Sequence, residues 1–255
     1  DDLSDFIVSD GSGNGNHGTC SGSNCPLAGV AGKYNNATDF NGASKVITVS
    51  DSSSLDLGNN LTLSAWIKPY TVYPSFTWQA ILSKSPPGYP WDPRPYGLHL
   101  NNDEIEISWY NNGWHFFTTT TANLLPNNWY HVAYTRGSGI ERIYLNGNLI
   151  KQGSVSSQMI NNNFPLYIGR LTDDEQFEGI IDDVGIWNRA LSEQEIAELY
   201  NSSEGIGGFL GTSGAICGNG ICEANENCPS DIGSCTDNVC YEPTCLNGCG
   251  QTPVA

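Results

Sequence analysis

The chain has 255 residues, which suits one large domain followed by a small one and allows a sizeable hydrophobic core. Lys and Arg number only 10 against 27 Asp and Glu, so the formal net charge at pH 7 is −17. Because a surface this acidic repels nucleic acids and anionic membranes and attracts cations, we exclude the first two as partners. The sequence contains no apolar run of about 18 residues, so it predicts no membrane insertion.

Residues 37–187 are predicted to form short antiparallel strands separated by turns. The composition, with 12 Tyr and 7 Trp but a single Met, favours strands over helices. In LTLSAWIKP (61–69) the apolar residues alternate onto one face, and Asn146-Gly147 is a strong signal for a two-residue hairpin turn. The other predicted strands are KVITV, WQAILS, YGLHL, EIEISWY, WHFFTTTT, WYHVAYTR, RIYLNGNLI, PLYIG and FEGIIDDVGIW. These elements indicate an antiparallel β-sandwich.

One helix follows the strands, in ALSEQEIAELY (190–200). Ser192 and Glu195 are spaced as a capping box, in which the serine side chain and the glutamate side chain each bond the other residue's backbone N–H. Beyond the helix the sequence becomes rich in Gly and Ser, then in Cys. We therefore predict a β-sandwich domain at 1–204, a linker at 205–215 and a small disulfide-rich domain at 216–255.

The nine cysteines indicate disulfides and an oxidising compartment. Cys20 and Cys25 are predicted to form a local bridge. The other seven are Cys217, Cys222, Cys228, Cys235, Cys240, Cys245 and Cys249. Seven cysteines form at most three bridges among themselves, so one pairs outside the chain or stays free. Glycosylation sequons at Asn36, Asn60 and Asn201 are compatible with export, and we predict an extracellular or cell-surface location.

Several segments together carry a family resemblance over residues 9–201. They are DGSGNGNHG, ATDFNGASKVITV, LTLSAWIKP, ILSK, NNWYHVAYT, IYLNGNLI, PLYIGR and FEGIIDDVGIWNRALSEQEIAELYN. In this order they resemble the LamG-like branch of the concanavalin A-like lectin/glucanase jelly rolls. The resemblance implies an all-β antiparallel jelly-roll sandwich with one short C-terminal helix. The tail resembles the CGNGxCE-type disulfide-rich repeats of secreted microbial proteins.

The loop SDGSGNGNHG near the start is predicted to bind calcium. Asp10, Ser12 and Asn14 place side-chain oxygens at alternate positions before Gly15, as at the opening of an EF-hand calcium loop. The EF-hand pattern fails at its twelfth position, where Ser21 replaces the bidentate glutamate, and no helices flank the loop. Because Ca²⁺ takes six to eight oxygens, other parts of the chain must complete the site.

The predicted second half of the calcium site is the strand IIDDVGIW (180–187). Alternation puts Asp182, Val184 and Ile186 on one face, predicted to be buried, where a carboxylate is costly unless a cation or several donors meet it. The resemblance implies calcium between this strand and the early loop. The predicted ligands are Asp10, Asn14, Asn16, the carbonyl of His17, and Asp182. The alternative is a tight Gly/Asn turn, with backbone amides satisfying Asp182.

We predict that the chain is not an enzyme. Related laminarinase-type enzymes carry an E-x-D-x-x-E strand, but in NDEIEISWY the position after Glu104 and Glu106 on their face is Ser108. The two glutamates are interpreted as the solvated face of a strand, with an acid/base pair as the alternative. The four histidines are scattered, and no Ser or Cys lies in a nucleophile motif.

Two aromatic loops, YTVYPSFTW (70–78) and PPGYPWDPRPYG (86–97), are predicted to bind a ligand. Aromatic rings stack on the apolar faces of sugars, and nearby polar groups bond the hydroxyls. The candidate ligand-binding residues are Trp78, Tyr89, Trp91, Asp92 and Arg94. Alternatively, these rings cover one end of the sandwich or pack against the tail.

Two functions therefore compete. The first is a calcium-stabilised carbohydrate-binding or adhesion module whose partner is a glycan or another extracellular protein. The second is a structural subunit of an extracellular filament or surface layer. The family normally has a strand about a dozen residues before the early loop, and DDLSDFIVS is a poor strand former, so we predict a missing strand. An upstream segment, the chain's own tail or a strand donated by a neighbour would fill its place.

Overall fold

The computed structural model describes residues 6–41, 44–72, 78–86, 94–170, 175–203 and 205–206. Within them, antiparallel strands form two sheets, which confirms the predicted sandwich. In chain order the strands are β1 (Ile7–Val8), β2 (Gly18–Thr19), β3 (Leu27–Ala31), β4 (Asn36–Asn41), β5 (Ile47–Val49), β6 (Leu61–Pro69), β7 (Trp78–Lys84), β8 (Tyr96–Asn101), β9 (Glu104–Tyr110), β10 (Trp114–Thr118), β11 (Tyr130–Gly137), β12 (Ile140–Leu145), β13 (Asn148–Ser154), β14 (Leu166–Ile168) and β15 (Glu178–Trp187).

One sheet has eight strands in the order β1-β2-β5-β14-β7-β8-β9-β10, and the other has seven in the order β13-β12-β11-β6-β15-β4-β3. The apolar face of β6, predicted from its alternation, lies in the hydrophobic core. From the eight-stranded sheet, Leu98 and Ile107 point into the same core. Each sheet therefore has an inner face in the core and an outer face directed away from it.

Two local predictions are confirmed by backbone geometry. Asn146 and Gly147 both have positive φ, 51° and 76°, as a two-residue turn between β12 and β13 requires. The helix α1 (Glu193–Asn201) begins with the Ser192–Glu195 capping box, with both reciprocal hydrogen bonds present.

The chain divides into two compact units, Asp1–Leu191 and Ser192–Ala255. The first contains both sheets, and α1 begins the second. The predicted cysteine module (216–255) and its seven cysteines lie outside the described residues, as does most of the predicted linker (205–215). The domain boundary after residue 204 and the pairing of those cysteines therefore stay predictions.

The start of the chain contains structure that the sequence did not predict. Ile7 and Val8, in the segment interpreted as a poor strand former, form β1 and pair with β2 at the edge of the eight-stranded sheet. Their side chains face solvent, and Ile7 is 69% exposed. The predicted disulfide between Cys20 and Cys25 is present directly after β2, with a Cα–Cα distance of 5.0 Å.

Candidate functional site

A stack of planar side chains lies on the outer face of the eight-stranded sheet. The Arg94 guanidinium carbon is 4.7 Å from the centre of the Trp114 ring, which stacks on Phe116 at 5.8 Å. Phe116 meets Trp78 at 5.8 Å, and Trp78 stacks on His99 at 5.1 Å. We call these five residues the aromatic stack. Two of them, Trp78 and Arg94, are predicted ligand-binding residues, and the structure brings them into one arrangement.

The strand order explains how the rings meet. Trp114 and Phe116 are two residues apart on β10, so the pleat places them on one face, opposite to the core residue Phe117. Trp78 comes from β7, and β8 and β9 lie between it and β10. The rings of Trp78 and Phe116 therefore meet across two intervening strands. Phe116 is the exposed member of the stack, with 45% of its surface accessible, while Trp78 and Trp114 are partly exposed.

Glu106 lies buried beside the stack and is fully hydrogen-bonded. One carboxylate oxygen is 3.0 Å from His99 Nε2, and the other accepts from Asn101 Nδ2 at 3.2 Å and Thr118 Oγ1 at 2.6 Å. Burial raises the pKa of Glu106, whereas these hydrogen bonds and the nearby His99 lower it. The lowering effects together are the larger, so the pKa of Glu106 is below its usual value. The interpretation of Glu106 as part of a solvated face is wrong, because its neighbours on β8 and β10 enclose it.

Burial lowers the pKa of both cationic candidates of the stack, but only one of them loses its charge at neutral pH. Burial lowers the pKa of His99, against the opposing effect of Glu106, which favours the neutral imidazole. Burial also lowers the pKa of Arg94 to about 10, and the charges of Glu175 and Glu106 oppose that shift. Arg94 therefore remains a cation at neutral pH, and its charge is balanced by carboxylates of the same chain.

The predicted calcium loop forms its own hydrogen-bond network. Asp10 accepts from the backbone N–H of Ser12 at 2.9 Å, the Ser12 hydroxyl at 2.8 Å and the backbone N–H of Asn16 at 2.9 Å. The Asp10 backbone N–H donates to His17 Nδ1 at 3.0 Å, and the Asn14 amide donates to the Ser12 hydroxyl at 3.0 Å. The four predicted loop ligands are thus held in one turn by direct bonds.

Asp182 does not point into the sandwich core. It pairs with Trp66 on β6, whereas the preceding Ile181 pairs with the core residue Ile67. A register shift between Asp182 and Gly185 then returns Val184 to the core side. The prediction that Asp182 and Val184 share a face is therefore wrong, because a bulge interrupts the alternation between them.

Three backbone amides meet the Asp182 carboxylate. Oδ2 accepts from the N–H groups of Lys33 at 2.8 Å and Tyr34 at 3.0 Å, and Oδ1 accepts from Asp183 N–H at 2.9 Å. Burial raises its pKa above the usual value, and the three amides oppose that shift. We call this arrangement the amide cradle, and it gives each carboxylate oxygen at least one backbone donor.

Asp10 and Asp182 accept from different donors and share no hydrogen-bond partner among the described residues. In the same part of the chain, no three Asp, Glu, His or Cys side chains gather as a metal-binding group. The donors that the structure gives Asp182 fit the amide alternative, so a joint calcium site with the early loop does not follow from this geometry.

Some residues of the site were predicted from sequence and others were not. Tyr89, Trp91 and Asp92 lie outside the described residues. Trp114 and Phe116 were not predicted, although their spacing in WHFF places both on one strand face. The role of His99 depends on Glu106, which lies directly opposite it on the adjacent strand β9.

Residues 41–197 match the family described as the Concanavalin A-like lectin/glucanases superfamily, Laminin_G_3. A segment is 29% identical over 153 residues to the adhesion G-protein coupled receptor V1 of Danio rerio, covering 56% of this chain and 2% of the receptor. Domain 4 of AbnA, an extracellular arabinanase of Geobacillus stearothermophilus solved with arabinotriose, has a TM-score of 0.56 and 20% identity, covering 78% of this chain and 93% of that one.

The binding domain of Paraclostridial Mosquitocidal Protein 1 has a TM-score of 0.60 and 19% identity. That match covers 78% of this chain and 51% of the toxin domain, so this chain spans about half of its length. At these identities the solved structures show a shared fold. The described residues contain no helix long and apolar enough to cross a membrane.

The amide cradle makes a direct prediction about stability. Asp182→Asn replaces one acceptor oxygen by a donor facing backbone N–H groups, so it should lower the free energy of unfolding by about 2 kcal/mol. Urea unfolding in the presence of a chelator measures this loss. Asp183→Asn is the matched control, because Asn tolerates its positive φ of 45°. Equal stability of the Asp182→Asn variant and the native protein in chelator would contradict the cradle.

Proposed function

The chain belongs to the Concanavalin A-like lectin/glucanases superfamily, and from this premise we propose that it is a non-catalytic carbohydrate-binding or adhesion module of an extracellular protein. The ligand is a glycan that binds at the aromatic stack on the outer face of the eight-stranded sheet. Another extracellular protein that carries such a glycan is the natural partner. Within this family, individual function resides in the site rather than in the fold.

The observation that carries the proposal is the exposure of Phe116 within an ordered row of rings. Apolar rings that protrude from a sheet surface gain by stacking on the C–H faces of sugars, and polar groups beside them bond the hydroxyls. Phe116 is flanked by Trp114 and Trp78, which fix its position from both sides. A preorganised platform loses little conformational entropy when a ligand binds.

The relatives support the same function. One similar protein is named an adhesion receptor, and one solved domain of the same fold was determined with arabinotriose. These names describe those proteins, and they favour carbohydrate binding and adhesion over other functions of the fold.

The state of Glu106 supports a non-catalytic module. Its carboxylate accepts from His99, Asn101 and Thr118, so both oxygens are already occupied. A general acid or base needs an oxygen within hydrogen-bond reach of the reacting group. Glu106 therefore acts as a support that links β8, β9 and β10 beneath the stack.

The test removes the exposed ring. We expect Phe116→Ala to reduce binding to a neutral-oligosaccharide array at least tenfold, because stacking is lost while the buried supports remain. Phe164→Ala is the matched control, since Phe164 is 37% exposed and lies outside the stack. Retention of full array binding by the Phe116→Ala variant would show that the ligand binds elsewhere.

Calcium binding is proposed for the early loop alone. The Asp10 carboxylate is held beside the Ser12 hydroxyl and the backbone N–H of Asn16, and hard oxygen donors such as this carboxylate and hydroxyl suit Ca²⁺. Chelator-treated protein should show a higher melting temperature when calcium is added, and Asp10→Asn should remove the increase. Magnesium at the same concentration serves as the control. Identical melting curves with chelator and with calcium would end this proposal.

An extracellular location and glycosylation belong to the same proposal. The Cys20–Cys25 disulfide suits an oxidising compartment. Asn36, Asn60 and Asn201, the three sequon asparagines, are exposed to solvent, as an attached glycan requires. Mass spectrometry of the native secreted protein would detect the added sugars.

A second candidate function is assembly into a filament or surface layer. It is favoured by the β1 edge, where Ile7 and Val8 are exposed on a strand that has no second neighbour among the described residues. Assembly through this edge should appear as concentration-dependent growth in light scattering, and Ile7→Lys should suppress it because a charged edge resists strand addition. A monomer at every concentration would contradict assembly.

A further inference from the structure

A row of small residues crosses the outer face of the eight-stranded sheet. Ser83 on β7 is opposite Gly97 on β8, and Gly97 is opposite Ser108 on β9. Residues directly opposite each other in an antiparallel sheet share a face. The same register row continues to Phe116 on one side and to Tyr167 on the other. We call Ser83, Gly97 and Ser108 the hydroxyl floor.

The two hydroxyls of the floor are buried and have no hydrogen-bond partner among the described residues. Ser83 and Ser108 are both fully buried, and neither Oγ atom is bonded within this part of the chain. A buried hydroxyl without a partner costs stability, so natural proteins satisfy such groups with protein, water or ligand. Ser83 and Ser108 depart from this rule together, on one face of the sheet and on either side of Gly97, which has no side chain.

The side chain that lies over the floor is Arg94, a member of the aromatic stack. A methyl group at Gly97 would lie 3.4 Å from Arg94 Cδ and 3.4 Å from Ser83 Oγ. The space above Gly97 is therefore just large enough for the aliphatic part of Arg94. Arg94 is fully buried, so a ligand reaches the two hydroxyls only if this part of the arginine side chain moves aside.

The chemistry of the floor selects a neutral, hydroxylated ligand. A serine hydroxyl both donates and accepts, as a sugar hydroxyl does, so the two groups match each other. A carboxylate on the ligand would need a protein cation that is not already paired with an acidic group. The nearby cation, Arg94, already interacts electrostatically with Glu106 and Glu175. The net charge of −17 further disfavours anionic ligands.

We propose that Ser83 and Ser108, on either side of Gly97, form a subsite that bonds the hydroxyls of a neutral saccharide stacked on Phe116. This subsite deepens the proposed function and rests on it. The aromatic stack supplies affinity through ring contact, while the floor determines which ring hydroxyls are accepted.

The test compares single substitutions within the row. Ser83→Ala and Ser108→Ala should each weaken binding of arabinotriose, or of the strongest neutral ligand on the array, by roughly three- to tenfold. Gly97→Ala should weaken it at least as much, because the added methyl group would lie between the two hydroxyls, in contact with Ser83 and Arg94. Neither serine variant should lower the melting temperature, since each removes an unpaired buried hydroxyl.

Ser85→Ala is the matched control. Ser85 is also buried with an unbonded hydroxyl, but it lies after the end of β7 and outside the row. Its substitution should leave binding unchanged. A purely structural role for the floor predicts that the row variants and the control behave alike.

The outcomes separate this inference from the proposed function. Native-like binding by the Ser83→Ala, Ser108→Ala and Gly97→Ala variants, together with loss in the Phe116→Ala variant, would overturn the subsite and leave the function standing. Binding of sialylated or uronate-containing glycans only would overturn the neutral class. Failure of the native protein to bind any glycan would overturn both.

Discussion

The pairing register of the eight-stranded sheet is the constraint on which the site depends. Once Leu98 and Ile107 are fixed in the core, every second residue of β8 and β9 must face outward. This places His99, Glu106 and Ser108 on one surface without any further requirement. A slip of one residue would bury those polar groups in the core and expose the core leucine, so the core and the site stabilise the same register.

The outer face contains charged groups that are costly to bury, and hydrogen bonds and opposite charges around them offset that cost. Glu106 links three strands through His99, Asn101 and Thr118. Its negative charge also interacts electrostatically with the Arg94 guanidinium. Breaking one partner of such a network leaves a buried charge uncompensated. The aromatic stack therefore rests on a hydrogen-bonded polar support that spans three strands.

Much of the fold follows from local signals. The alternation of β6, the Asn146-Gly147 turn and the capping box at Ser192 each specify their structure within a few residues. The short strands β1 and β3 were not predicted, because two exposed apolar residues and the small residues of LAGVA carry no clear alternation. Their pairing depends on neighbours that are distant in sequence.

The site was predicted less completely, for reasons that are physical. The composition of the aromatic loops points to Trp78 and Arg94, but these two residues meet only through Phe116 and Trp114 on a strand farther along the chain. Alternation alone does not predict the face of Asp182, because the bulge before Gly185 puts residues before and after it on opposite faces from those expected for a regular strand.

The central claim is that a saccharide binds at the aromatic stack. The seven tryptophans provide reporters in one experiment, because each indole N–H gives its own signal in a ¹⁵N-resolved NMR spectrum. On addition of arabinotriose or a neutral ligand from the array, the Trp78 and Trp114 signals should shift and saturate together. The signals of the buried Trp66 and Trp109 should stay in place. Saturable shifts confined to tryptophans outside the stack would contradict the account.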